Sequence, residues 1–175
     1  MADMSESVVL TIVSDDRPGI VEALSQVLEN HGGNWAESSM LSLAGKFAGI
    51  LLASLPTEEV ESFLADLQTL ESGGMKILAQ RSTAAPPVRD MKEFTLELVG
   101  QDRPGIVHDI SSILARHRVN VLELETECQS ASMSGEMLFL AKARLQVPPD
   151  VSIERLKQDL EDLANELMVD LKLQE

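Results

Sequence analysis

The sequence has one cysteine, one tryptophan and no tyrosine in 175 residues. Because Cys128 stands alone, neither an intrachain disulfide nor a thiolate metal cluster can form. It is expected as a small buried hydrophobe on a strand. Aromatic residues make up only 3%, so any core must be packed from Leu, Val, Ile, Ala and Met. Basic residues are scarce as well, with 14 Lys and Arg against 29 Asp and Glu and a formal net charge of −15. The excess is general: residues 1–85 carry 12 acids and 4 bases, and residues 86–175 carry 17 and 10. A protein that grips nucleic acid needs cations to displace the counterions of the phosphates. This composition therefore argues against direct nucleic-acid binding, and the same repulsion argues against an anionic membrane surface. No uninterrupted apolar run approaches the ~20 residues that span a bilayer. The N-terminus lacks a basic region followed by an apolar stretch and a small-residue cleavage site. A cytoplasmic location with no membrane contact is the expectation.

What the chain does contain, it contains twice. Asp16-Arg17-Pro18-Gly19-Ile20-Val21 recurs unchanged as Asp102-Arg103-Pro104-Gly105-Ile106-Val107, at an offset of 102 − 16 = 86. The same offset pairs His31 with His117, Asn34 with Asn120 and Glu37 with Glu123. This period is that of a whole domain, and two copies do not make a solenoid.

Each copy reads in the same order. Val8 to Val13 is an extended run ending in the turn signal Ser14-Asp15-Asp16. Pro18 suits the first position of a helix whose Ile20, Leu24, Val27 and Leu28 share one face. That helix should end at His31-Gly32-Gly33, where glycine supplies a positive φ. Strands over 34–43 and 47–55 follow, then a helix opened by Pro56-Thr57 with Val60, Leu64 and Leu67 on one face, and a last strand over 75–80. The second copy predicts strand 93–100, helix 104–117, strands 120–132 and 136–146, helix 152–167 and strand 168–174. The order βαββαβ is the ferredoxin-like topology of the α+β class, a four-stranded antiparallel sheet with two helices on one face. The expected domains are 1–81 and 93–175, joined by a linker over 82–92 whose Pro86-Pro87 favours an extended spacer.

The free face of such a sheet meets water or a partner. In the first copy Val8, Leu10 and Ile12 alternate with Val9, Thr11 and Val13, and Ile50-Leu51-Leu52 is apolar on both sides. The second copy offers Glu97, Lys142 and Arg144 for a wet face. The first sheet is therefore expected to be covered, either by the other domain or by a second chain in a homodimer.

The strand-to-helix junctions hold the chemistry. A helix N-terminus leaves about four N–H groups unpaired and carries the positive end of a macrodipole. Gly19 and Gly105 allow close approach to the backbone, and N–H groups around Ile20 and Ile106 suit a carboxylate. Asn34 and Asn120 offer side-chain amides, and Asp16 or Asp102 could pair with an ammonium, so the set suits an amino acid. The competing reading is conformational: a sharp turn into a helix favours Asp, Pro and Gly anyway. Backbone geometry does not, however, demand Arg17 and Arg103.

On this loop and the later Asn, the repeat resembles the ACT domain, an amino-acid-sensing module, over about residues 7–81 and 93–174. A chain of two such domains is similar to the glycine cleavage system transcriptional repressor family. The resemblance implies ligand sites at interfaces between ACT domains, with glycine favoured as the effector. It also implies repression through contact with a transcription factor that itself binds DNA. The candidate ligand residues are Asp16, Arg17, Pro18, Gly19, Ile20 and Asn34, with Asp102, Arg103, Pro104, Gly105, Ile106 and Asn120. The copies differ at Asp15/Gln101, Glu22/His108, Gly33/Val119 and Trp35/Val121, which unbalances the two sites. An alternative is a stand-alone allosteric partner of an amino-acid or one-carbon metabolic enzyme.

No catalytic set, metal set or cofactor is expected. His31 and His117 read as helix-end caps, and His108 has no nucleophile or acid at catalytic spacing. No phosphate loop, HExxH or nucleophile elbow occurs. Glu154, Asp159, Glu161 and Asp162 read as a solvated face, and the eight methionines as core filler.

Overall fold

The computed structural model describes residues 5–82, 90–130 and 135–175. The chain divides into two compact units, 1–86 and 87–175. The Pro86-Pro87 spacer lies outside the described residues.

In the first unit β1 (Ser5–Asp15) leads to α1 (Ile20–Asn30), β2 (Asn34–Leu43) and β3 (Lys46–Pro56). A single 3-10 turn at Thr57–Glu59 then enters α2 (Val60–Ser72), and β4 (Lys76–Arg81) completes the unit. The sheet order is β2-β3-β1-β4, antiparallel throughout. The second unit repeats it as β5 (Lys92–Gln101), α3 (Ile106–Arg116), β6 (Asn120–Ser130), β7 (Met137–Val147), α4 (Ile153–Leu167) and β8 (Asp170–Gln174), in the order β6-β7-β5-β8. Both units have the βαββαβ, ferredoxin-like fold expected from the sequence.

The period-2 pattern of β1 fixes which side chains meet the helices. Val8, Leu10 and Ile12 are buried, joined by Leu51, Ala53 and Leu55 from β3. Ile20, Leu24 and Leu28 recur every fourth residue on α1 and close over them; Val60, Phe63 and Leu67, spaced three and then four apart, do so on α2. Phe63 holds the central place on α2, while Leu64, expected on the same face, packs at the margin. A separate cluster around Phe94, Leu98, Ile110, Leu145, Leu156 and Leu160 forms the second core.

Three local expectations are corrected. Pro18 is not the first residue of α1; the helix starts two residues later, because Gly19 takes a left-handed conformation (φ 92°, ψ 0°) at the N-cap. Cys128 does lie on a strand but is exposed, since β6 is an edge strand with no neighbour on its outer side among the described residues. Asp159 is hydrogen-bonded to His117 and is more than part of a solvated face. The positive φ expected near the end of α1 is found at Gly32 (63°); its counterpart Arg118 takes the same conformation (57°) without being glycine. No helix among the described residues is long and apolar enough to cross a membrane.

Candidate functional site

The two Asp-Arg-Pro-Gly loops are built alike. The Asp16 N–H donates to the Gly45 carbonyl (3.0 Å), and the Asp102 N–H to the Met137 carbonyl (2.9 Å), so the β3 or β7 hairpin end fixes each loop. Gly19 and Gly105 then turn the chain with φ of 92° and 97°. Their carbonyls accept the first intrahelical bonds, from Ala23 and Asp109 (2.9 Å each). No side chain caps either helix, so the leading N–H groups of α1 and α3 are left for solvent or a ligand. A Cβ on Gly19 would meet nothing within 4 Å, so the backbone there is open to approach.

The side chains of the loops are less free than their sequence suggests. Asp16 accepts from the Ser42 hydroxyl (2.6 Å). Arg17 donates to the Gly73 carbonyl (2.8 Å), tying the loop to the exit of α2. Between these elements lies a cleft of about 270 Å³ lined by Arg17, Pro18, Gly19, Ile20, Leu70 and Gly73, among others. It gathers four of the expected ligand residues. In the second unit Cys128 takes the place of Ser42, beside the Asp102 carboxylate. Partial desolvation and then the neighbouring Asp102 charge push the thiol above its ordinary pKa, which works against thiolate formation. Among the described residues Arg103 makes no bond like that of Arg17; Pro104 and Gly105 are exposed beside it, and Ile106 is buried.

Asn34 and Asn120 are exposed at the starts of β2 and β6. Asn34 lies across from Ser54, which pairs with Ser7, whereas the loop leaves β1 at Asp15. Eight residues of strand separate those two levels, about 26 Å at 3.3 Å per residue. One domain thus presents its loop and its asparagine at opposite ends of the sheet, and does not bring them to one ligand.

Sequence reading missed Ser42, Cys128 and Gly73, the partners that position the loops. Ser42 and Cys128 are themselves 86 residues apart, a signal available in the repeat. The units differ in a further respect. In the first, Trp35 and Met40 of β2 pack against the core beside Leu51. In the second, Val121, Thr126 and Ala143 hold those registers, and an apolar groove opens between α3 and the sheet, lined by Val107, Ile110, Leu114, Val121, Leu124 and Phe139. Among the described residues no cluster of His, Cys, Asp and Glu has the arrangement of a metal site.

Comparison with known proteins agrees with the geometry. A solved structure of a protein of unknown function from Galdieria sulphuraria is 31% identical, with a TM-score of 0.84 and 98% of each chain covered. The glycine cleavage system transcriptional repressor of Escherichia coli is 22% identical over 161 residues, 91% of this chain and 84% of its own. A UPF0237 protein of Methanopyrus kandleri is 33% identical over 85 residues, 48% of this chain and 88% of its own. The sequence profile of the ACT domain matches residues 6–77 and again 93–174. With both halves matched and both folded as βαββαβ, the chain belongs to the ACT-domain family.

Proposed function

We propose that this chain is an amino-acid-responsive regulator, with glycine the favoured effector, and that it represses glycine cleavage system transcription by contact with a DNA-binding activator. The observation that carries the reading is the likeness to the Escherichia coli repressor over 91% of the chain, in tandem-domain form. The charge of −15 supports action through a protein and not on DNA itself. Enzymatic activity forms no part of the proposal.

Glycine would lie against the uncapped helix starts after Gly19 and Gly105, its carboxylate on the N–H groups of Ile20 and Ile106 and its ammonium near Asp16 or Asp102. Pro18 and Pro104 hold the turn, Arg17 and Arg103 border it, and Asn34 or Asn120 would come from a different ACT domain than the loop it completes. Glycine has five non-hydrogen atoms, and at a ceiling of about −1.5 kcal/mol per atom its binding is limited to roughly −7.5 kcal/mol, a few micromolar.

Calorimetric titration with glycine, serine and alanine tests the effector. Saturable binding to wild type, weakened at least tenfold in Asn34→Ala, supports the site; no heat with any of the three removes the sensing role. Capture from extract tests the partner. Recovery of a transcription factor supports the regulator, and recovery of a metabolic enzyme alone replaces it with an allosteric subunit.

A further inference from the structure

The two sheets have opposite free faces. In the second unit Glu97, Lys142, Arg144 and Glu123 point away from the helices, with Arg144 Nη1 3.8 Å from Glu123 and Lys142 Nζ 3.9 Å from Glu97. Water serves that face well. In the first unit the corresponding surface is aliphatic. Val13, Leu41, Leu43, Ile50 and Leu78 lie on it with relative exposures between 42% and 72%.

The registers arrange this face in rows across β2, β3, β1 and β4. They run Leu41–Ala48–Val13–Lys76, Ser39–Ile50–Thr11–Leu78 and Glu37–Leu52–Val9–Gln80. Within these three rows the inner strands contribute only aliphatic residues and a threonine, and the polar residues fall on the outer strands; the next row, Leu43–Lys46–Asp15, borders the patch with a Lys46–Asp15 ion pair. An apolar centre with a polar rim is the anatomy of a protein interface. Glu37 and Lys76 occupy opposite corners, both exposed and neither ion-paired among the described residues.

We infer that this face docks on the same face of a second copy of the chain. Four strands ~4.8 Å apart and three rows ~6.6 Å apart make a patch of roughly 14 by 13 Å between its corner Cα atoms, nearly square. A two-fold axis along the diagonal that avoids Glu37 and Lys76 exchanges those two corners. Each Glu37 then meets the partner's Lys76, and the strands of the two sheets cross near a right angle, one of the two packings open to stacked sheets. The face is self-complementary in charge as well as in polarity. The charged face of the second unit is a poor alternative occupant, because covering Ile50 with it would strip water from Glu97 and Lys142. The patch is small beside the total of about 1,000–1,200 Å² at which specific interfaces begin, so the dimer is expected to be weak and reversible. This docking does not depend on the ligand site.

Sedimentation velocity of the full chain from about 1 to 200 μM reads it directly. Wild type should pass from monomer to dimer across that range. Val13→Arg should weaken the dimer at least tenfold, while Val99→Arg, the same position in the second unit, should leave it unchanged. Glu37→Lys and Lys76→Glu should each weaken it, and the double variant should recover it. These two positions are exposed, so the charge pair tests the docking even where Val13→Arg fails to fold. A chain that stays monomeric to 200 μM, a dimer indifferent to Val13→Arg, or a double variant no tighter than either single one would overturn the proposal.

Discussion

His31 shows how one side chain can do more than close a helix. As the C-cap of α1 it lies between two carboxylates of the neighbouring helical segments, Nδ1 2.8 Å from Glu59 and Nε2 2.9 Å from Asp66, with only 10% of its side chain exposed. The bond to Glu59 raises its pKa against an opposing effect of burial, and Glu59 is lowered in return. Since the folded His31 pKa exceeds the unfolded value, the stability it adds is complete below about pH 6.5 and is lost as pH rises through the folded value. Glu59 adds stability above its own ordinary range and loses it as pH falls. The first unit should therefore be most stable between those limits, and its melting temperature should drop from pH 6 to pH 8 in wild type but stay nearly flat in His31→Gln. Among the described residues His117 has only Asp159, at 2.7 Å, which is why the expectation of two equivalent caps holds for position but not for partners. Gly100 has a different constraint: a Cβ there would overlap Val169. Gly100→Ala should cost the second unit about 1–3 kcal/mol by overpacking, measurable in urea, with the first unit unchanged. Neither effect could be read from the sequence, because Glu59, Asp66 and Val169 reach these sites through the fold and are not neighbours along the chain.

Among the elements, the helices following the repeated loops were legible and their starts were not. Hydrophobic spacing identified the buried face of α1, yet Pro18 pointed to a start two residues too early because the left-handed Gly19 lies between. The helix of ordinary construction is α4, where Ser152 accepts from the Arg155 N–H at 3.3 Å. Ser152→Ala should cost about 1 kcal/mol in urea denaturation, a loss that α1 and α3 avoid by having no capping side chain to lose. The second strand of each unit defeated simple alternation. Its register shifts at Ala36 and again at Leu122, one extra residue each, so Trp35 and Ser38 share a side although they are three positions apart. A period-2 reading assigns the rest of that strand to the wrong face, and with it the side on which Leu41 and Leu43 emerge.

At the scale of the molecule, the repeat of 86 residues was enough to give two domains and their topology. It could not give the relation of each loop to Asn34 or Asn120, since adjacency in sequence conceals a strand-length separation in space. The two cores share no residue, and a Methanopyrus kandleri relative matches 48% of the chain with 88% of its own length. Each unit should thus unfold as its own cooperative step, and calorimetry of the chain should resolve two transitions, only the first of which moves in His31→Gln. Trp35 sits on β2 of the first unit, tyrosine is absent, and the second unit has only Phe94 and Phe139 for aromatics. Intrinsic emission therefore reports on one half of the protein. An effector completed by Asn34 would lie beside Trp35, whereas one completed by Asn120 would have Val121 there instead, so a fluorescence titration alone would count one site where calorimetry counts two.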